Sequence, residues 1–206
     1  TPTEISALSR VAKGNGLSIH MDGARFANAV ASQHVTPAEL SWKAGVDVLC
    51  LGATKCGALC AEVVIFFNKE LAKTFIHRRK RGGHLLSKGR VFGAQMVGWL
   101  QDDHWLELAK HANTQAAKLA ETINGIDGLQ LVWPVESNEL FVVMPKGLAT
   151  YLRDAGAEFY DWYVDTLPPN VTLQDDQQFA RLVTSFATQD SHRQEFSELI
   201  RGYFIS

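Results

Sequence analysis

The sequence predicts an α/β protein, in which part of a mostly parallel sheet with helices is followed by a smaller α+β region. Helix and strand patterns alternate through residues 1–51, which requires crossover connections and parallel strands. After residue 103 this alternation gives way to short strands and helices in a different order. We therefore expect two domains, residues 1–103 and residues 104–206.

The first helix and the first strand have clear boundary signals. Residues 1–4, Thr-Pro-Thr-Glu, combine a capping Thr, a Pro in the first turn and a Glu three residues after the cap. Gly-Asn-Gly at residues 14–16 ends this helix, and residues 17–21 have the alternation of a short strand. A second helix is expected at residues 24–30.

The same signals recur in the next segment. Residues 36–39, Thr-Pro-Ala-Glu, predict another helix start, and Gly45 ends this helix. Residues 46–51 are apolar and predict a buried strand. Residues 62–67 predict a third strand, which should run antiparallel because it follows too closely for a crossover helix.

The remaining elements follow from periodicity and turn residues. Helices are expected at residues 68–82, 90–100, 105–124, 148–155 and 191–204. Short strands are expected at residues 129–133, 140–144, 158–163 and 179–184.

The charge balance excludes several classes of partner. The 206 residues include 20 basic and 22 acidic side chains, for a formal net charge of −2. This balance argues against binding to nucleic acid or to an anionic membrane surface. No apolar run approaches the roughly 20 residues that span a bilayer.

The three cysteines predict free thiols. Cys50, Cys56 and Cys60 lie close together in one apolar stretch, and their number is odd. A secreted disulfide framework is therefore disfavoured. The spacing of Cys56 and Cys60 would suit a metal on a helix, but no matching pair of ligands follows. We expect no metal site, and we expect buried thiols in a reducing cytoplasm.

Two charged residues stand where predicted parallel strands end. Asp22 follows the first strand and Lys55 follows the second, at positions that open parallel sheets use for function. A pyridoxal phosphate site needs such a pair. The amine forms a Schiff base with the cofactor aldehyde, and the carboxylate keeps the pyridine nitrogen protonated. The alternatives are that Asp22 only caps the next helix and that Lys55 is a solvated loop residue.

Four motifs resemble those of the threonine aldolases and related β-eliminating lyases, which are fold-type-I pyridoxal phosphate enzymes. They are HMDGAR at residues 20–25, GATKCGA at residues 52–58, RRKRGGHLLSK at residues 78–88 and RLVTS at residues 181–185. The third motif looks especially like that of the bacterial low-specificity L-threonine aldolases. The resemblance covers essentially the whole chain and implies the large domain of fold type I followed by a small α+β domain.

The resemblance implies roles for four residues. Lys55 is the lysine that bonds to pyridoxal 5'-phosphate, and Asp22 pairs with the pyridine nitrogen. Arg25, which we expect on the same helical face as Asp22, approaches the phenolic oxygen of the cofactor. Arg181 grips the α-carboxylate of the substrate, since two parallel N–H donors fit two oxygens. Without the resemblance, both arginines would be interpreted as surface residues.

Two further features have several interpretations. His20 is interpreted as a hydrogen-bonded core histidine rather than a catalytic one. The basic cluster at residues 78–81 suits the negative end of a helix dipole, and it lacks the interleaved aromatic residues of a nucleic-acid site. The resemblance implies a third role for this cluster, near a subunit interface and close to a phosphate.

The implied activity is cleavage of β-hydroxy-α-amino acids, of the L-threonine and L-allo-threonine type, to glycine and an aldehyde. The resemblance further implies a small amino acid substrate, a homo-oligomer that is a dimer or a tetramer, and a cytoplasmic location. The alternatives are β-elimination or transamination on the same fold, and an inactive truncated fragment.

The chain departs from the family pattern at its front. Relatives have a long amino-terminal region with the phosphate-binding loop, the ring that stacks on the pyridine and most strands of the central sheet. We find no such region in this sequence, and we therefore expect weak cofactor binding, or none, by the chain alone. Cys56 also stands where many relatives have a polar residue such as Asn, a difference from which we expect no chemical consequence.

Overall fold

The computed structural model describes residues 1–205 and divides into two compact units. The first unit comprises residues 1–109 and the second begins at Lys110, so the division falls inside one long helix, α5 (His104–Asn124). The expected domain boundary between residues 103 and 104 stays a prediction. Each unit is described by itself.

The first unit is built on a three-stranded mixed sheet. Its strands are β1 (His20–Gly23), β2 (Val48–Gly52) and β3 (Glu62–Phe66), in the spatial order β1-β2-β3. β1 runs parallel to β2, and β3 runs antiparallel to β2. The predicted directions of all three strands are confirmed.

Helices bury one face of this sheet. The helices of the first unit are α1 (Pro2–Gly14), α2 (Phe26–Gln33), α3 (Phe75–Arg81), α4 (Gly89–Leu100) and the start of α5 (His104–Asn124). Leu49 and Leu51 point from β2 into a core that includes Phe26, Trp99 and Trp105. The residues that alternate with these core residues along the strands lie on the opposite face of the sheet. Among them, His20, Asp22 and Glu62 are exposed. The first unit therefore has its core on one face of the sheet, where the apolar residues of the strands meet the apolar residues of the helices.

The capping signal of the first helix is confirmed. The Thr1 hydroxyl accepts a hydrogen bond from the Glu4 amide at 3.3 Å, and the Glu4 carboxylate accepts one from the Thr1 ammonium at 2.7 Å. These reciprocal bonds satisfy donors that the first turn of a helix leaves open.

The helix expected after Thr36 is wrong. The same reciprocal bonds form between Thr36 and Glu39, but the chain continues as turns and a short 3₁₀ helix, Trp42–Ala44. The Ser41 hydroxyl donates to the Pro37 carbonyl at 2.6 Å. The Ser41 amide bonds to the Ala38 carbonyl at 3.4 Å rather than to the Pro37 carbonyl that it would use in an α-helix, so the helical hydrogen-bond pattern stops here. The predicted helix at residues 68–82 is likewise divided, into a 3₁₀ helix and α3.

The second unit is a four-stranded antiparallel sheet with helices. Its strands lie in the order β4-β5-β7-β6, and its core is formed by side chains of β5, β7 and the helices. The bounds are β4 (Gln130–Leu131), β5 (Glu139–Pro145), α6 (Lys146–Asp154), β6 (Tyr160–Asp161), β7 (Gln177–Val183) and α7 (Asp190–Ile205). Every element predicted in this region is present, although β4 and β6 are shorter than expected.

No helix in residues 1–205 is both long enough and apolar enough to cross a membrane.

Candidate active site

Asp22 lies at the carboxyl end of β1 and is exposed. Its Oδ1 accepts a hydrogen bond from the Ala24 amide at 3.0 Å, which stabilises the turn that leads to α2. Within residues 1–205 its Oδ2 has no hydrogen bond, so one carboxylate oxygen is available. The capping alternative is wrong, because the N-cap residue of α2 is Arg25, and the turn at Asp22 leaves the other carboxylate oxygen free for a ligand.

Lys55 follows the carboxyl end of the neighbouring strand β2. It lies in a 3₁₀ turn, Thr54–Cys56, and its side chain is exposed. The part of the chain that the structure describes offers its ammonium no hydrogen bond or ion pair. Because β1 and β2 are parallel, the structure brings Asp22 and Lys55 to the same edge of the sheet.

The turn that carries Lys55 is held by its next residue. Cys56 is buried, its carbonyl accepts a hydrogen bond from the Trp99 indole at 2.7 Å, and its thiol donates to the Trp105 carbonyl at 3.4 Å. Burial raises the pKa of the Cys56 thiol to about 11, so it stays protonated and serves as a donor. The expectation that Cys56 has no chemical consequence stays a prediction.

Three residues beside Asp22 were missed or misinterpreted from the sequence. His20 is exposed rather than in the core, and its Nε2 lies 3.1 Å from the Cys50 sulfur. Burial, then the carboxylates of Asp22 and Glu62, raise the pKa of the Cys50 thiol, which shows that both acids lie near it. Glu62 is paired in register with Gly52, and an acidic residue opening an apolar strand was the one sequence signal for it.

Arg25 does not share a helical face with Asp22. Asp22 belongs to β1, whereas Arg25 is the residue that precedes α2, with φ −126° and ψ 30°. The expectation is wrong because the Asp22 turn delays the helix until Phe26. The side chain of Arg25 is half-buried, and its proposed role toward a cofactor stays a prediction.

Arg181 lies on β7 in the second unit, in register with Phe141 and Tyr160. Its guanidinium donates to the Glu139 carboxylate at 3.2 Å and lies 4.4 Å from the centre of the Trp162 ring. Trp162 in turn packs edge-on against Phe141. The Nε of Arg181 is buried and has no hydrogen bond within the described residues. The guanidinium is therefore fixed in orientation by a carboxylate and an aromatic face.

These residues fit the demands of pyridoxal phosphate. The cofactor needs an amine that can bond to its aldehyde and a carboxylate oxygen for its pyridine nitrogen. Lys55 offers an ammonium without a competing partner, and Asp22 offers an oxygen that its turn does not use. Across residues 1–205, no group of three or more His, Cys, Asp or Glu side chains could hold a metal ion, and the three thiols are unpaired.

Comparison with known proteins gives consistent matches. The sequence pattern of the β-eliminating lyase family matches residues 1–146. The chain is 49% identical over 159 residues to the low specificity L-threonine aldolase of Pseudomonas aeruginosa, covering 77% of this chain and 46% of that protein. It is 47% identical over the same length, with the same shares covered, to the enzyme of that name from a Pseudomonas species.

The fold also matches a solved structure. The threonine aldolase of Leishmania major superposes with a TM-score of 0.86 and 29% identity, over 98% of this chain and 56% of that one. The predicted fold, fold type I of the pyridoxal phosphate enzymes, is confirmed. The chain spans about half the length of the curated relatives that it matches.

Proposed function

The chain belongs to the β-eliminating lyase family, and on that premise we propose that it is the part of a threonine aldolase that carries the cofactor-binding lysine. The proposed reaction is cleavage of β-hydroxy-α-amino acids of the threonine type to glycine and an aldehyde. The relatives that bear this name support it.

One observation carries the proposal. The parallel pair β1 and β2 ends at one edge of the sheet, where Asp22 has an unused carboxylate oxygen and Lys55 has an ammonium without a partner. A solvated lysine on a surface loop needs no rigid support. The burial of Cys56 directly after Lys55 gives this lysine such support.

The residues of the first unit would hold the cofactor. Lys55 would bind it covalently through its amine, and Asp22 would hold a proton at its pyridine nitrogen. Arg25 would contact its phenolic oxygen. When bound, pyridoxal phosphate accepts the electrons of the bond that breaks at the substrate Cα.

Arg181 would orient the substrate. Its guanidinium can donate two parallel hydrogen bonds to the α-carboxylate. Glu139 and Trp162 already fix the plane of that guanidinium, so less conformational entropy is lost when a carboxylate binds. A fixed carboxylate limits rotation of the substrate and thereby selects which bond at Cα is aligned for cleavage.

An oligomer is part of the proposal. Every residue from 76 to 91 is exposed, and this segment combines cations without ion pairs in the described chain with apolar side chains such as Ile76 and Leu86. Exposed apolar side chains beside a basic cluster favour a contact with a second subunit. We propose a dimer or a tetramer. The unpaired thiols support a reducing, cytoplasmic location.

The test is product analysis with the whole protein. With pyridoxal 5'-phosphate and L-threonine, an aldolase releases glycine and acetaldehyde in equal amounts. Formation of 2-oxobutanoate and ammonia would show β-elimination instead, and a keto acid without ammonia or aldehyde would show transamination. A preparation that binds the cofactor and releases none of these products would contradict the proposal.

A further inference from the structure

The backbone around Lys55 is held by hydrogen bonds of the residues that follow it in the chain. The Cys56 amide N–H donates a hydrogen bond to the Ala53 carbonyl at 3.0 Å, and the Ala58 amide N–H donates to the same carbonyl at 3.1 Å. These bonds close the turn. The Cys56 carbonyl faces away from the turn and is buried with the indole of Trp99.

The bond from Trp99 is strong on physical grounds. Its length is 2.7 Å and both residues are buried, with Trp99 4% exposed and Cys56 3% exposed. A buried carbonyl that loses its donor has no water to replace it and pays the full cost of desolvation. The turn would then relax toward solvent, and Lys55 would move with it.

Two neighbouring features restrict the packing around the turn. Gly57 has φ +112°, and a Cβ there would lie 2.6 Å from the Leu108 side chain. The Trp99 ring packs on the Trp105 ring at a centroid distance of 5.3 Å. The Trp105 indole N–H has no hydrogen bond in residues 1–205, so of the two rings only Trp99 bonds to the turn.

We propose that Trp99 is a positioning residue for Lys55: its indole N–H holds the Cys56 carbonyl and thereby fixes where the lysine amine meets the cofactor aldehyde. This inference rests on the proposed function, because it assigns Trp99 a role through Lys55. Lys55 itself has no side-chain partner, so its position is set by the backbone alone.

The test compares two matched substitutions in the whole protein of which this chain is proposed to be a part. Trp99→Phe removes the N–H and keeps an aromatic ring, and Trp105→Phe makes the same change in the adjacent ring without removing a hydrogen bond. The first measurement is amide hydrogen exchange at Cys56 and Ala58, which needs no cofactor. The second is labelling with pyridoxal 5'-phosphate and borohydride, read as the ratio of label on Lys55 to label on the exposed Lys69.

We expect Trp99→Phe to speed exchange at both amides roughly tenfold and to lower the labelling ratio roughly tenfold. Trp105→Phe should change each value by less than about twofold. Equal effects of the two substitutions would show that ring packing alone matters and would overturn the inference. Faster exchange with an unchanged labelling ratio would overturn it as well, because the turn would then loosen without moving Lys55.

Two further measurements distinguish a failure of the proposed role of Lys55 from a failure of the inference about Trp99. A labelling ratio near one in the unsubstituted whole protein would refute the proposed role of Lys55 itself, before any variant is compared. If Trp99→Phe does not fold, benzothienylalanine at position 99 replaces the indole N–H by sulfur and keeps both fused rings. The same losses are expected with that residue, and unchanged exchange would overturn the inference.

Discussion

Lys55 in the first unit and Arg181 in the second are held in opposite ways. The backbone of Lys55 is fixed by the bonds of Cys56, and its side chain has no partner in the described residues. The side chain of Arg181 is fixed directly, by Glu139 and by the face of Trp162. The contrast lies in which part of the residue the protein restrains.

This difference matches the two proposed tasks. A lysine that must form and break a covalent bond needs a mobile amine on a fixed anchor. An arginine that recognises a carboxylate gains from a guanidinium whose orientation is set before binding. The burial of the two sites agrees, since Lys55 is exposed and only 22% of the Arg181 side chain is exposed.

The largest effect is expected from removing the Lys55 amine. Lys55→Ala should abolish the borohydride-stable pyridoxyl adduct, because this amine is the one proposed to bond to the cofactor. The measurement is peptide mapping of the reduced protein, with Lys69→Ala as the control that keeps the adduct. Label found on Lys80 or Lys88 instead of Lys55 in the unsubstituted protein would contradict the assignment.

The next largest effect is expected from replacing Arg181, whose side chain is held in place directly. Arg181→Ala should lower kcat/KM for threonine by a few hundredfold, about 2–4 kcal/mol of transition-state stabilisation, while cofactor binding survives. Arg181→Lys should recover little, since an ammonium lacks the fork geometry and the planar contact with Trp162. Steady-state kinetics with a cofactor titration checks both, and near-normal kinetics in Arg181→Ala would remove this residue from the site.

A smaller effect probes the fixed backbone. Gly57→Ala should lower the free energy of unfolding by about 1–3 kcal/mol, because the residue has positive φ and Leu108 occupies the space of a Cβ. Gly93→Ala is the matched control. It lies in α4 with open space around it, and it should be neutral or stabilising by about 0.5–1 kcal/mol. Urea unfolding measures both, and equal values would show that the Lys55 turn is not restrained.

The last expected effect is a dependence of folding stability on pH, which arises from the Cys56 thiol beside Lys55. Burial raises the pKa of Cys56 from 9.0 to about 11, so above pH 9 the unfolded chain loses this proton while the folded chain keeps it. The contribution to stability is complete below pH 9 and is lost as the pH rises to 11. Cys56→Ser keeps a hydroxyl donor and should reduce this decline, leaving the part that the raised pKa of Cys50 contributes. The exposed Cys60→Ser should not reduce it, and an unchanged decline in Cys56→Ser would contradict the argument.

The two Thr-Pro-x-Glu segments show how far local prediction reaches. Both form the predicted reciprocal bonds, at Thr1 and at Thr36. Only the first continues as an α-helix, since in the second the Ser41 amide bonds to the Ala38 carbonyl and the α-helical pattern stops. A capping motif therefore predicts a turn reliably, and the helix beyond it depends on the residues that follow.

The sequence by itself determined that β1 and β2 are parallel, the direction of β3, the family and the two strand ends that carry Asp22 and Lys55. These properties follow from local periodicity and from short motifs. Only the tertiary structure decided that Arg25 lies outside the helix, that His20 is exposed, and that Cys56 anchors the Lys55 turn. The bonds of Cys56 to Trp99 and Trp105 span 43 and 49 residues. Contacts at that separation leave no periodic trace in the sequence, because they depend on how α4 and α5 pack against the sheet.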